Sequence, residues 1–225
     1  IVWGGLSAMG LASDGARYNP ATDRWSPLAT AGTPSARTSP FVVWTGTEMI
    51  VWAGASADPS TVDGARYDPV TNRWQAMSAM DAPSGRSSGA ALWTGTEMFV
   101  WGGYDGRGTE QATGGRYDPA ADRWRPVTAT GTPSARADFT AVWTGTEVLL
   151  WGGHRSDFST RPTTILRTES GAAWDPRRDA WRELDALGAP TARDRHGSVW
   201  TGAEMIIWGG ITPTATVATG ARLQP

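Results

Sequence analysis

Short apolar runs separated by glycine and proline recur along the whole chain and predict β-strands. One stretch contains "PFVVW" (40–44), "EMIVWAG" (48–54), "GARY" (64–67) and "RW" (73–74) in succession. Each run has the length of a strand, and no apolar stripe with a 3.6-residue period persists. Glycine or proline also interrupts each stretch of about ten residues, which disfavours helices. The pattern predicts an all-β protein whose unit has four short antiparallel strands, denoted a, b, c and d.

The links between these runs carry the residues that tight turns require. Between strands a and b, "TGTE" places Gly46 first in a two-residue turn, where a positive φ is needed and only glycine adopts it without steric cost. Between strands c and d, "DPVTN" offers Asp68 as a side-chain cap and Pro69 with a preset φ. Both links predict sharp reversals of the chain.

The same phrases return at nearly constant intervals, which indicates internal repeats. The tryptophan of the strand-b phrase lies at positions 3, 52, 101, 151 and 208, so the spacings are 49, 49, 50 and 57 residues. A strand-c phrase follows each time, as "GARYNP", "GARYDP", "GGRYDP", "GAAWDP" and "GARLQP". A period near 50 residues is typical of propeller blades and solenoid coils.

These motifs resemble the kelch repeat. The shared features are a glycine doublet closing strand b, Tyr-Asp-Pro ending strand c, a tryptophan opening strand d and "P-x-x-R" before the next strand a. The resemblance covers essentially the whole chain and implies an all-β, kelch-type β-propeller of four-stranded antiparallel blades, with strand a along a central channel. We interpret residues 1–225 as one domain of a bacterial kelch-like protein. Its five repeats are approximately 1–37, 38–86, 87–136, 137–193 and 194–225.

The first and last repeats each lack one strand, namely strand a of the first and strand d of the last. We expect the chain to form part of a six- or seven-bladed ring, because an open ring leaves unpaired strand edges. A five-bladed ring with a thin seam is the second alternative. The third is an oligomer that shares strands.

Residues repeated in every unit are predicted to be scaffold, because a ligand site would not be copied into each blade. The tryptophans expected to fill the interfaces between blades are Trp44, Trp52, Trp93, Trp101, Trp143, Trp151, Trp200 and Trp208. Strand-c arginines are expected to form ion pairs with the glutamates that open strand b, as Arg66 with Glu48, or a ladder of arginine and aromatic side chains. For the loop arginines before strand a, hydrogen bonds to loop carbonyls are favoured over binding of an anion. They are Arg37, Arg86, Arg136 and Arg193.

Composition narrows the range of partners. A net charge of −2 gives no electrostatic reason to expect nucleic acid, and the apolar runs are too short to span a membrane. Cysteine is absent, which excludes disulfides and thiolate metal sites. All 20 basic residues are arginine, which suggests a GC-rich bacterial genome. We expect an extracellular or cell-envelope location, with a cytoplasmic one left open, a signal peptide that is absent or removed, and membership of a longer chain.

Loop positions that differ between repeats are where a single ligand could be recognised. The up-and-down strand order places the b–c and d–a loops on one face. There the fourth repeat carries an insertion (154–170) and the third has "YDGRGTEQAT" (104–113). Kelch domains that bind peptides use a similar face. The predicted ligand-binding residues are Tyr104, Arg107, Asp138, His154, Arg155, Asp157, Phe158, Arg195 and His196.

We therefore expect a module that binds a protein or glycan ligand through the b–c/d–a face of the third to fifth repeats. A kelch-type enzyme similar to a sugar isomerase or lyase, with His196, Arg195 and Asp138 as acid–base groups, is the alternative. A structural spacer is the third. The chain carries no metal-ligand, calcium-loop or phosphate-loop motif, and the copper chemistry implied by some kelch enzymes needs a cysteine. No catalytic residue, metal or cofactor is expected.

Overall fold

The computed structural model describes residues 1–58 and 62–225, and every regular element in that part of the chain is a β-strand. The strands of the first unit are β1 (Val2–Ser7), β2 (Gly10–Asn19) and β3 (Arg24–Pro27), followed by β4 (Arg37–Thr38) in the next loop. Those of the second are β5 (Phe41–Trp44), β6 (Met49–Trp52), β7 (Ala55–Ser56), β8 (Gly64–Asp68) and β9 (Arg73–Ala76), followed by β10 (Arg86–Ser87). Those of the third are β11 (Ala90–Trp93), β12 (Met98–Trp101), β13 (Tyr104–Asp105), β14 (Gly114–Asp118) and β15 (Arg123–Pro126).

The fourth and fifth units complete the chain. The strands of the fourth are β16 (Thr140–Trp143), β17 (Val148–Trp151), β18 (His154–Asp157), β19 (Thr164–Arg167), β20 (Gly171–Asp175) and β21 (Ala180–Glu183). Those of the fifth are β22 (Gly197–Trp200), β23 (Met205–Trp208) and β24 (Gly220–Leu223). Units two, three and four each contain a four-stranded antiparallel sheet in the predicted order a-b-c-d. The first has only b, c and d, and the last only a, b and c.

The turns form for the reasons that the sequence suggested. Gly46 has φ +104°, and its counterparts in the later a–b turns have similar positive values. In the second c–d turn, Asp68 accepts hydrogen bonds from the backbone N–H of Val70 and the hydroxyl of Thr71, both at 2.7 Å. The hydroxyl of Thr71, followed by the backbone N–H of Val70, lowers the pKa of Asp68. Both turn predictions are confirmed.

Strand b is the most buried element of each complete unit. All four residues of β6, β12 and β17 are buried, because the faces of this strand are covered by the two neighbouring units. The strand-b tryptophan of one unit packs on the strand-d tryptophan of the next. The ring centroids are 5.7 Å apart for Trp3 and Trp74, 4.9 Å for Trp52 and Trp124 and 5.5 Å for Trp101 and Trp181. The prediction that indoles join neighbouring units is confirmed for these pairs.

Two of the predicted filler tryptophans need correction. Trp208 is 60% exposed and Trp44 is 49% exposed. Each lies in an outer unit or faces one that lacks a strand. In the described structure no strand d packs over Trp208, and the first unit has no strand a that could pack over Trp44. The number of blades and the closure of the ring stay predictions.

The strand-c arginines pair with the strand-b glutamates as predicted. Distances between the charged atoms are 3.7 Å for Arg66 and Glu48, 3.8 Å for Arg116 and Glu97 and 3.5 Å for Arg222 and Glu204. In the fourth unit, which has alanine in strand c, Arg182 of strand d reaches Glu147 instead, at 2.7 Å. The arginines also link units, since Arg66 donates to the carbonyl of Pro119 in the next c–d turn.

No helix in the described residues has the length and apolar character needed to cross a membrane.

Candidate functional site

The four loop arginines, Arg37, Arg86, Arg136 and Arg193, lie beneath the b–c/d–a face. All are buried, with side chains no more than 2% exposed. Arg136 is typical: its guanidinium donates to the carbonyls of Ser134, Gly152 and Ser170 and to the hydroxyls of Ser134 and Ser170. Burial lowers its pKa to about 10, which still leaves it charged at neutral pH. The donors of Arg136 are engaged by Ser134 in its own loop and by Gly152 and Ser170 of the fourth unit. These bonds agree with a scaffold role, which was favoured over the binding of an anion.

Directly above each arginine, the d–a loop pairs with the residue that follows the glycine doublet. The pairs are Thr38 with Ala55, Ser87 with Tyr104, Ala137 with His154 and Asp194 with Ile211. In the second unit both members are small or weakly polar, so the scaffold itself needs no large polar group here. Tyr104, His154 and Asp194 therefore distinguish units three to five.

These three residues form one polar chain across three units. The hydroxyl of Tyr104 lies 2.5 Å from Nε2 of His154, and Nδ1 of His154 lies 2.8 Å from Oδ2 of Asp194. The Nε of Arg167, from the inserted hairpin, lies 3.0 Å from the same carboxylate oxygen. His154 and Asp194 are buried, at 4% and 1% exposure, whereas Tyr104 is half-buried. We refer to Tyr104, His154, Arg167 and Asp194 as the polar chain.

The two ring nitrogens of His154 make different contacts. Nε2 is hydrogen-bonded to the Tyr104 hydroxyl, whereas Nδ1 lies close to the Asp194 carboxylate without an aligned hydrogen bond. Burial, followed by the nearby carboxylates of Asp138 and Glu110, raises the pKa of Tyr104 to about 12. Tyr104 therefore keeps its proton at neutral pH, and its oxygen retains lone pairs that can accept from a ligand.

A second ion pair lies beside the polar chain. Asp138 and Arg195 occupy equivalent positions in consecutive units, both with positive φ (+53°), and Nε of Arg195 lies 3.1 Å from Oδ2 of Asp138. Their backbones are also linked, because the N–H of Arg195 donates to the carbonyl of Asp138 at 2.9 Å. Arg195 remains 65% exposed and so is available to a ligand.

The insertion of the fourth unit folds as a hairpin on the same face. Its strands β18 and β19 pair from His154 with Arg167 to Asp157 with Thr164. Glu110 of the third unit fastens this hairpin, since one carboxylate oxygen accepts from the N–H and the hydroxyl of Ser156, at 2.8 and 2.6 Å. Phe158, at the tip, is 64% exposed.

In these loops two aspartates accept hydrogen bonds from neighbouring groups, whereas three arginines are exposed. Asp105 accepts from the N–H groups of Arg107 and Thr109 and from the amide of Gln111, and Asp157 accepts from the N–H and hydroxyl of Ser159. Arg107, Arg155 and Arg161 are exposed, and none has an ion pair within residues 1–58 and 62–225. We call the surface formed by residues 104–113, 137–138, 154–170 and 194–195 the crown.

Of the sequence-predicted site residues, the structure places two, His154 and His196, in buried positions. His196 is only 5% exposed and packs edge-on against Trp151, with ring centroids 5.1 Å apart. It fills the place that Phe139 fills against Trp101 in the preceding interface, so it is an interior residue and not a direct ligand contact. His154 is also buried, at 4% exposure, and contacts the Tyr104 hydroxyl.

Three residues of the site were missed by the sequence reasoning. Asp194 follows the loop arginine directly, where other units have Thr38, Ser87 and Ala137, so the comparison of repeats could have found it. Arg167 lies in the insertion of the fourth unit and Glu110 in the variable b–c loop of the third, and only tertiary contacts reveal their roles. No group of three potential metal ligands lies close together in the described part of the chain.

Comparison with protein families agrees with this architecture. A model described as the KLHDC2/KLHL20/DRC7 Kelch-repeats domain matches residues 1–210. The chain belongs to the kelch-repeat family. This membership indicates a protein-binding propeller module. A comparison with curated proteins found no match.

Proposed function

We propose that this kelch domain binds a partner protein through the crown, with Tyr104 and the Asp138–Arg195 pair at the centre of the contact. The single observation that carries the proposal is the buried polar chain beneath Tyr104. Burying ionised groups costs several kcal/mol per ion unless pairing offsets it. The second unit builds the same loop pairing from Thr38 and Ala55 without such a chain, so folding alone does not require it.

The effect of the polar chain is to hold the Tyr104 side chain in one orientation. A tyrosine held in place by buried neighbours loses little conformational entropy on binding. Tyrosine and arginine are also enriched among the residues that dominate protein interfaces. Around it, exposed Phe158 supplies apolar area, and the unpaired arginines of the crown supply charge. This combination of a fixed tyrosine, an exposed phenylalanine and exposed arginines suits the binding of a protein better than a purely structural role.

The geometry favours binding over acid–base catalysis. His196, the histidine of the enzyme alternative, lies in the interior beside Trp151. Tyr104 is protonated at neutral pH, and burial raises its pKa further, to about 12, so its hydroxyl does not supply a base there. A glycan would use the same tyrosine and arginine contacts, and the experiment below includes it as an outcome.

The proposal is tested by crosslinking capture from native extract, with the 225-residue chain and two matched variants as baits. Arg195→Ala removes a charge from the crown, and Arg178→Ala removes one from the opposite, c–d turn face, where Arg178 is 84% exposed. We expect Arg195→Ala and Tyr104→Phe each to weaken capture of the same protein by about tenfold or more, as at interface anchors. Arg178→Ala is expected to leave it unchanged.

Capture that resists Arg195→Ala and Tyr104→Phe but fails with Arg178→Ala would place the contact on the opposite face and contradict the proposal. Binding to a glycan array with the same dependence on Tyr104, without capture of a protein, would replace the protein ligand by a sugar. Absence of any captured species or glycan signal would support the spacer hypothesis instead.

A further inference from the structure

The boundary between the second and third units carries a groove on the face opposite the crown. It has a volume of about 530 Å³ and is formed by the a–b turns of both units and the c–d turn of the third. Pockets that bind small molecules have this size. Arg66 links its two sides, since it belongs to the second unit and donates to the carbonyl of Pro119 in the third at 2.5 Å. We call this site the turn-face groove.

Two carboxylates of the turn-face groove accept no hydrogen bond. Glu48 and Glu97 line it with side chains that are only 27% and 17% exposed. Their ion-pair partners, Arg66 and Arg116, stand 3.7 and 3.8 Å away, beyond hydrogen-bonding distance. Within residues 1–58 and 62–225 no other group donates to either carboxylate. Because partly buried polar atoms are usually hydrogen-bonded, these oxygens are available to donors on a ligand.

The equivalent glutamates of the later units are satisfied, which sets this groove apart. Glu147 accepts from Arg182 at 2.7 Å. Glu204 accepts from Gln224 at 3.0 Å. Arg125 lines the turn-face groove at the strand-d position that Arg182 occupies in the fourth unit, yet it has no ion pair in the described part of the chain. Among the boundaries that the structure describes, this one alone combines two free carboxylates with an unpaired guanidinium, so the site is not a copy repeated in every unit.

We propose that the turn-face groove binds a neutral carbohydrate of one or two sugar rings. A cationic ligand would meet the guanidinium groups of Arg66 and Arg125, and an anionic one would meet the two glutamates. A sugar hydroxyl both donates and accepts, so neighbouring hydroxyls satisfy a carboxylate and a guanidinium in the same site. Trp93 lines the groove and is half-buried, which supplies aromatic surface for the C–H groups of a sugar ring.

The turn-face groove and the crown are separate sites. The groove is built from a–b and c–d turns, whereas the crown is built from b–c and d–a loops. The carbohydrate proposal therefore does not rest on the proposed protein partner. Tyr104→Phe, which weakens binding at the crown, is expected to leave sugar binding in the groove unchanged, so either proposal can fail without the other.

The test begins with an array of neutral mono- and oligosaccharides, probed with the fluorescently labelled 225-residue chain. Calorimetric titration then measures the affinity for the free sugar that gives the strongest signal. We expect saturable binding, and we expect Glu48→Ala and Arg125→Ala each to weaken it by at least about tenfold, because each removes a charged hydrogen-bonding partner of the sugar.

Matched variants locate the site. Glu147→Ala removes the equivalent glutamate of the fourth unit, and Arg123→Ala removes an exposed arginine two residues from Arg125 on the same strand, so both are expected to leave binding unchanged. Circular dichroism confirms the fold of all four variants.

Three results would overturn the proposal. The first is no binding at millimolar sugar, and the second is binding that survives both Glu48→Ala and Arg125→Ala or that is lost with Tyr104→Phe. The third is binding of spermidine, abolished by Glu48→Ala, without binding of any sugar, which would assign the groove to a cation.

Discussion

His196 and Phe139 occupy equivalent positions, each three residues after the loop arginine of its unit. Both pack edge-on against a strand-b tryptophan, at 5.1 Å for His196 on Trp151 and 5.5 Å for Phe139 on Trp101. The imidazole adds one polar contact, because its Nε2 lies 2.8 Å from the hydroxyl of Thr140. Burial, followed by the charge of Arg193, lowers the pKa of His196 to about 4.

This lowered pKa makes stability depend on pH in a defined window. In the unfolded chain the histidine takes up a proton near its ordinary pKa of about 6.5, whereas in the folded protein it stays neutral down to about pH 4. Its stabilising contribution is complete above pH 6.5 and is lost as the pH falls toward 4. Urea unfolding at pH 4 and pH 7 measures how far the free energy of unfolding falls on acidification. We expect His196→Phe to make this fall smaller by up to about 3 kcal/mol.

The converse variant, Phe139→His, is the control and is expected to steepen the loss of stability over the same pH range. An unchanged pH dependence in His196→Phe would show that another group titrates in this window.

At the scale of single elements, glycine serves two different purposes in units two to five. Gly145, in the a–b turn of the fourth unit, has φ +99°, and a Cβ placed there meets nothing within 4 Å. Gly153, after strand b, has φ +91°, and a Cβ would lie 2.7 Å from both the carbonyl oxygen of Ala137 and Cβ of Phe139. The first glycine permits a turn, whereas the second also permits the close approach of the loop that carries the site.

Alanine at the two positions separates these roles. We expect Gly145→Ala to reduce the free energy of unfolding by about 1 kcal/mol, the cost of the backbone conformation alone. Gly153→Ala adds a steric clash with backbone that cannot move freely, so we expect a loss of about 3 kcal/mol or more, measured by chemical denaturation. Equal losses for the two variants would contradict this division.

At the scale of the whole molecule, stability comes from stacking one unit on the next. The strand-d tryptophans contribute both area and a hydrogen bond, as when Nε1 of Trp124 donates to the carbonyl of Ser78 in the preceding unit at 3.0 Å. Side chains in the c–d turns add further links, since Asp122 accepts from the N–H of Ser78 at 2.9 Å. Each of the first three interfaces therefore combines a tryptophan pair with a few polar contacts.

Two tryptophans from the same strand position test this account. Trp101 is fully buried between units, and Trp101→Ala should cost about 3–5 kcal/mol in the 225-residue chain. Trp208 is 60% exposed, so Trp208→Ala should cost about 1 kcal/mol or less. Thermal unfolding of both variants gives the comparison, and a large loss from Trp208→Ala would show that an additional surface covers it in solution.

The fold was predictable from the sequence because its information is local and periodic. Strand length, turn glycines, aspartate caps and the repeated tryptophans each depend on a few neighbouring residues, and they recur in every unit. The identity of the variable face was also predictable, and Tyr104, Asp138, Arg107, Arg155 and Phe158 lie on the crown. The exposure of Trp44 and Trp208 was not, because it depends on which units stand on either side.

By itself, then, the sequence determined the unit, its strand order and the face where the units differ. Only the tertiary structure decided which polar side chains of that face meet one another and which meet solvent. Tyr104 and His154 are 50 residues apart in the chain, and their contact exists because the third and fourth units stack with their b–c loops side by side. Periodicity places residues within a unit, but contacts between units depend on how the loops pack, and no local pattern records that.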